Sequence, residues 1–261
     1  MSSPDRVDGA SRLDAFFSGR FRLHQPEKGG FRAGLDALLL AACVPVDASG
    51  ACADIGAGTG AVGFGAALRA PGLAVSLVEK DPAAVELLQR SVAEAGNAPL
   101  AARLTVAQAD ILAGRSAREA AGLADNGFRW VLTNPPFFPG DHRRSPDASR
   151  DAALFTQGPD FLRRWLRACA ALLELRGRLC LIARPADLPA IADALERRLG
   201  GLAVLPVHTR PGAARRILVG ARAGSREGLS ILPGLILHGE AAQPALQAVS
   251  DGTRAIDLFP R

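Results

Sequence analysis

Ala51-Cys-Ala-Asp-Ile-Gly-Ala-Gly-Thr-Gly60 is a short apolar strand running into a glycine-rich turn, and Ala61 to Leu68 reads as the start of a helix. Glycines there let the backbone approach a ligand closely, and a helix N-terminus adds free N–H groups. The pattern repeats along the chain. Leu73 to Glu79 and Leu104 to Asp110 read as apolar strands ending in an acid, Phe128 to Leu132 as a fourth strand, with helical stretches such as Pro82 to Ala95 between them. Such alternation implies an α/β fold, a parallel, doubly wound, Rossmann-like sheet with its ligand at the carboxyl ends of the strands. Further on, Phe161 to Leu175 is apolar at helical spacing, Gly177 to Ala183 makes a fifth strand, and Asp187 to Leu199 an amphipathic helix. Val204 to His208 and Arg216 to Ala221, separated by Arg210-Pro-Gly212, read as two final strands paired antiparallel. Leu232 to His238 reads as one extra edge strand.

The spacing Gly56-x-Gly58-x-x-Ala61 satisfies the dinucleotide fingerprint, with Glu79 about where a ribose-binding acid belongs. Two features favour S-adenosylmethionine (SAM) over NAD. Asp54 stands just before the first glycine, where it would repel a pyrophosphate and attract an ammonium and a sulfonium. A further acid, Asp110, closes the next strand, placed to accept from an adenine amino group while Glu79 takes the ribose hydroxyls. Strand-end acids often do no more than cap the following helix. Three at successive strand ends form a pattern, with Gly56, Gly58 and Gly60 as the turn around the cofactor.

The fourth strand runs into Thr133-Asn-Pro-Pro-Phe-Phe138. The carboxamide oxygen of Asn134 can accept one hydrogen bond from an amino group. Pro135 and Pro136 lack an N–H and fix φ, so the backbone is pre-set with a second acceptor beside the first. Phe137 adds a ring face. Asn134, Pro135, Pro136 and Phe137 are therefore candidate catalytic residues for a planar group bearing –NH2, with Asn134 also bordering the cofactor.

Taken together, these motifs resemble a class I SAM-dependent methyltransferase of the amino-methylating Asn-Pro-Pro-Tyr/Phe group. The stretch Phe21 to Ala42, FRLHQPEKGGFRAGLDALLLAA, is similar to the corresponding segment of the bacterial valine-tRNA adenine N6-methyltransferase family. The resemblance covers roughly Phe16 to Arg222. It implies a seven-stranded sheet with the last strand antiparallel, and a helix opening with Gly34 and Asp36 against the methionine end of SAM. The implied activity is methylation of an exocyclic amine, adenine N6 in tRNA. Two rivals carry related motifs: the rRNA guanine N2-methyltransferases, which have His where Phe138 stands here, and the protein glutamine N5-methyltransferases. Phe137 replaces a Tyr common in relatives, and the chain has no Tyr at all; stacking needs only a ring face. A SAM-binding or RNA-binding module without activity is the reading from another class, and the intact set Asp54, Glu79, Asp110 and Asn134 speaks against it.

At 261 residues the chain is long enough for one large domain, expected over 16–261 behind a loose, polar tail over 1–15. The start carries no apolar signal-like region and no stretch reaches membrane-spanning length. Cys43, Cys52, Cys169 and Cys180 fall singly on apolar elements, and neither they nor the four histidines show metal-ligand spacing. The expectation is a cytoplasmic protein without metal. Net charge is +5, carried largely by arginine. Arg143, Arg144 and Arg150 follow the candidate catalytic turn in a loop too long for a simple connector, positioned to hold RNA phosphates beside an extruded base.

Overall fold

The computed structural model describes residues 11–27, 34–136 and 160–260. In chain order the elements are β1 (Ser11–Phe16), β2 (Phe21–Pro26), α1 (Leu35–Ala42), β3 (Ser49–Ile55), α2 (Ala61–Arg69), β4 (Gly72–Glu79), α3 (Pro82–Ala93), α4 (Ala98–Ala101) and β5 (Leu104–Gln108). There follow α5 (Arg115–Ala120), β6 (Phe128–Thr133), α6 (Phe161–Leu172), β7 (Leu173–Ala183), α7 (Leu188–Leu195), β8 (Leu199–His208), β9 (Arg216–Ala223), β10 (Ser230–Ile231), β11 (Leu235–Ile236) and α8 (Gln243–Ser250).

Seven strands form the body of one sheet in the order β5-β4-β3-β6-β7-β9-β8. All run parallel except β9, which lies antiparallel between β7 and β8. Strand residues alternate between two cores. Cys52, Val75, Leu77, Trp130, Leu132, Cys180 and Ile182 join the face covered by α1, α2 and the C-terminal segment. Ala53, Val78, Val131, Leu179 and Leu181 join the face covered by α6 and α7. That period-two division is what a sheet wound on both sides requires.

Several boundaries differ from those expected. The tail expected over 1–15 is strand from Ser11 onward: β1 pairs with β2 along its length, and Phe16 stacks on Phe21 with ring centroids 5.7 Å apart. This hairpin is fastened to the sheet domain by Asn97, whose amide accepts from Arg22 N–H and donates to the carbonyls of Arg22 and Ser91. β8 begins at Leu199, five residues earlier than Val204. Gly200 and Gly201 sit inside the strand at a register irregularity, where a Cβ on Gly200 would lie 2.3 Å from the Ser225 carbonyl oxygen. The edge strand expected over 232–238 is two short pieces, β10 and β11, both paired to β8. Pro233, between them, has no N–H to offer a ladder.

Candidate active site

The four strands that carry the expected site residues lie side by side, β5-β4-β3-β6. At about 4.8 Å per strand, their carboxyl ends span roughly 14 Å of sheet edge. Asp54, Gly56, Gly58, Gly60, Glu79, Asp110, Asn134, Pro135 and Pro136 sit at or just beyond those ends.

The glycine turn leaves β3 and is clamped to β4, because the N–H groups of Gly56 and Ala57 both donate to the Val78 carbonyl at 2.9 Å. Gly56, Gly58 and Gly60 all have positive φ, the last as the left-handed N-cap of α2. They differ in surroundings. A Cβ on Gly56 would meet the Trp165 ring at 3.0 Å and one on Gly60 the Leu88 side chain at 2.7 Å, whereas nothing lies within 4 Å of one on Gly58. Gly58 therefore faces the open side of the turn.

Glu79, at the end of β4, reaches across to this turn. Its Oε2 accepts from Gly58 N–H at 2.9 Å, and its Oε1 accepts from the N–H groups of Lys80 and Asp81. Asp110 lies two residues past the end of β5 and is exposed, with Oδ1 accepting from Leu112 N–H at 2.8 Å. Both acids do cap backbone, and both stand at the rim.

Asp54 is placed differently from the expectation. Instead of hanging at the mouth of the turn it is buried beneath it, its Oδ2 accepting from Gly63 N–H at 2.8 Å on the first turns of α2. Burial raises its pKa to about 7, against the lowering effect of the Gly63 hydrogen bond, with the negative charge of Glu79 raising it further. Because the folded pKa lies above the unfolded one, ionising Asp54 costs stability as pH rises from about 4 toward 7, and the loss levels off above that. The expected result for Asp54→Asn is a flatter stability profile over this window, since Asn can still accept from Gly63. Urea unfolding at pH 5 and pH 8 measures it; equal pH dependence in both proteins would refute the assignment.

Asn134 and Pro135 follow β6 directly. The Asn134 Oδ1 is buried and has no hydrogen-bond partner among the described residues. A buried acceptor left unsatisfied is costly and uncommon, and this one is open to a donor. Pro135 is buried and Pro136 exposed. Phe137, Arg143, Arg144 and Arg150 lie outside the described residues.

A network that the sequence reading missed locks the turn and the Asn-Pro-Pro segment together. The buried Thr133 hydroxyl donates to the Ile55 carbonyl and accepts from Trp165 Nε1, both at 2.9 Å. The Trp165 ring packs on Gly56, so one side chain on α6 touches both parts of the site. A signal was present: a buried indole N–H needs an acceptor, and Trp165 is one of only two tryptophans. Gln25 was missed as well; it is buried on β2, and its Nε2 donates to Thr59 Oγ1 in the glycine turn at 2.9 Å.

Gly34 is the N-cap of α1, with open space where a Cβ would stand. Asp36, in the first turn, accepts from the Arg216 guanidinium at 2.8 Å, which joins α1 to the start of β9. Among the described residues no group of three or more His, Cys, Asp or Glu side chains is arranged to hold a metal ion. The four cysteines are free and buried, and burial raises all four thiol pKa values. No helix among the described residues is long and apolar enough to cross a membrane.

Comparison with known proteins agrees with this layout. The chain is 35% identical over 155 residues to a tRNA1(Val) (adenine(37)-N6)-methyltransferase of Porphyromonas gingivalis, covering 58% of each protein. It is 30% identical over 186 residues to the protein of that name from Shewanella loihica, covering 71% of this chain and 73% of the relative. For three of the curated relatives the match spans only 58 to 64% of their length. A crystal structure from Agrobacterium tumefaciens, described as a predicted O-methyltransferase, superposes with a TM-score of 0.72 at 34% identity, covering 85% of this chain and 98% of that one. The T. thermophilus 16S rRNA N2 G1207 methyltransferase, solved with AdoMet and guanosine, shares the fold at a TM-score of 0.55 and 20% identity, over 82% of this chain and 50% of that one. The family model for the methyltransferase small domain matches residues 33–205. Since that match runs from just before α1 well into β8 and takes in every strand end described above, the chain belongs to the methyltransferase small domain family.

Proposed function

We propose that this protein is a SAM-dependent N-methyltransferase acting on an exocyclic amino group, adenine N6 in tRNA, in the cytoplasm. The observation that carries the reading is the buried, unpartnered Asn134 Oδ1 at the end of β6, beside the Pro135 carbonyl. The curated relatives named for tRNA adenine N6 methylation supply the substrate class.

Bound SAM would supply an electrophilic methyl group. Gly58, with its open face, Glu79 at the turn and Asp110 at the rim suit the ribose and adenine ends of such a ligand. Gly34 and the start of α1 border the methionine end in this reading, and Asp54 acts from beneath the turn. An aryl amine is a weak nucleophile because its lone pair is delocalised into the ring. Asn134 Oδ1 and the Pro135 carbonyl, accepting both N–H bonds, favour a pyramidal nitrogen whose lone pair is withdrawn from the ring π system and aimed at the methyl. Positioning and a fixed local field then provide most of the acceleration. No strong base is required, because the amine proton becomes acidic only as the new bond forms. Pro136 stiffens the turn, and Phe137 replaces the stacking neighbour that an extruded base loses. Arg143, Arg144 and Arg150 are assigned to phosphates on either side of that base.

A hydroxyl substrate, as in the description of the Agrobacterium structure, offers a single O–H and leaves one of the two acceptors idle. Protein glutamine would use both, as adenine does. Nucleoside mass spectrometry on tRNA from a deletion strain and its parent decides between them: N6-methyladenosine disappears and returns on complementation. An unchanged tRNA profile, with label transferred from SAM to a ribonuclease-resistant product, would overturn the RNA assignment.

A further inference from the structure

The β8–β9 hairpin stands over the same edge of the sheet as Asn134, and its loop is basic. Between Glu196 and Glu227 the sequence holds no acidic residue. The register Thr133↔Leu181↔Val219↔Val204 sets one level across β6, β7, β9 and β8. From that level β9 continues to Arg216 and β8 to His208, so the hairpin rises roughly 10–13 Å beyond the end of β6. Two to three strand spacings separate it laterally from Asn134, about 10–14 Å. Its loop, Thr209 to Arg215, thus forms one wall of the opening above the catalytic turn.

The loop is pre-shaped. Pro211 fixes its own φ, Gly212 takes φ +95°, and His208 Nδ1 donates to the Gly212 carbonyl at 3.0 Å. Arg216 is spent on Asp36, which ties the wall to the start of α1. Arg210 and Arg215 are exposed, and no carboxylate among the described residues lies within ion-pair distance of either. Arg115, Arg118 and Arg163 are paired with acids, whereas Arg197 and Arg198, at the other end of β8, are exposed like Arg210 and Arg215 but lie far from Asn134, so it is position over the site that sets the loop pair apart. Two guanidiniums without a carboxylate partner, on a loop that rises beside the end of β6, match the charge of a polynucleotide backbone.

We infer that Arg210 and Arg215 form a phosphate-binding wall that grips the RNA strand next to the target nucleotide. This rests on the tRNA reading above, and it assigns to that site a docking surface for the polynucleotide partner. Phosphate contacts position the substrate and carry no sequence information, so their loss weakens RNA binding without touching the chemistry.

The test uses the full chain and tRNA purified from the deletion strain. In Arg210→Gln/Arg215→Gln, KM for tRNA rises about tenfold and the salt dependence of KM loses about one to two units of log–log slope. Turnover at saturating tRNA and the calorimetric affinity for SAM stay at wild-type values. The control is Arg197→Gln/Arg198→Gln, at the opposite end of β8, which leaves KM and slope unchanged. A wild type that methylates tRNA beside a loop variant with the same KM and slope would overturn the wall and leave the tRNA reading standing. A wild type that labels protein and no tRNA would overturn both.

Discussion

Asn134→Ala lowers turnover by about 10²–10³-fold, the loss typical when one fixed polar contact to the reacting group is removed, while SAM binding stays close to wild type. The physical reason is the state of the Oδ1 atom. It is buried without a partner, so the folded protein already bears the cost of desolvating it, and that cost is recovered only when an amine donates there. Alanine deletes the acceptor, and the substrate amine then keeps its lone pair delocalised into the ring. Because the Asn134 Oδ1 holds no partner among the described residues, its loss leaves the hydrogen bonds of the turn intact. Single-turnover assays with radiolabelled methyl SAM measure the rate, and calorimetry the affinity. Near-normal turnover in this variant would refute the acceptor mechanism.

The second large effect falls on the cofactor. Glu79→Ala lowers SAM affinity about 100-fold. Two hydrogen bonds from ribose hydroxyls to a carboxylate contribute at least about 1.5 kcal/mol each, and each 1.4 kcal/mol is a factor of ten. Glu79 also holds Gly58 N–H and its own strand end, so alanine loosens the turn as well. Glu79→Gln keeps one acceptor oxygen and sets an amide NH2 where the other stood, so thermal stability and affinity both recover only in part, to values between Glu79→Ala and wild type. Calorimetric affinity unchanged in Glu79→Ala would remove this residue from the cofactor site.

The fold was legible because its signals are local. Strands ending in Asp54, Glu79 and the Asn-Pro-Pro turn are punctuated by acids, glycines and prolines whose backbone effects do not depend on distant contacts. The same holds for α3, where Asp81 caps and Pro82 opens the helix. Long-range contacts stayed hidden. Asp54 looked like a ligand contact because its neighbour is Gly56, yet the helix N–H of Gly63 claims it. The bond from Trp165 to Thr133 joins residues 32 apart, and that from Gln25 to Thr59 residues 34 apart; neither has a periodic signature. The start of β8 differs from the expected Val204 for a related reason: Gly200 carries no strand signal of its own, and it is the distant Ser225 backbone that requires its lack of a side chain.

The antiparallel insertion of β9 has a consequence for how the protein comes to exist. β7, eleven residues long, waits for a partner that emerges from the ribosome only with Arg216 to Ala223. Until then the ladder groups of Leu179, Cys180, Leu181 and Ile182, all buried in the finished sheet, present an unpaired edge to other nascent chains. Pairings of such separation are slow to form. A translational stall or a premature stop between β8 and β9 would therefore yield not a smaller methyltransferase but an open template for aggregation.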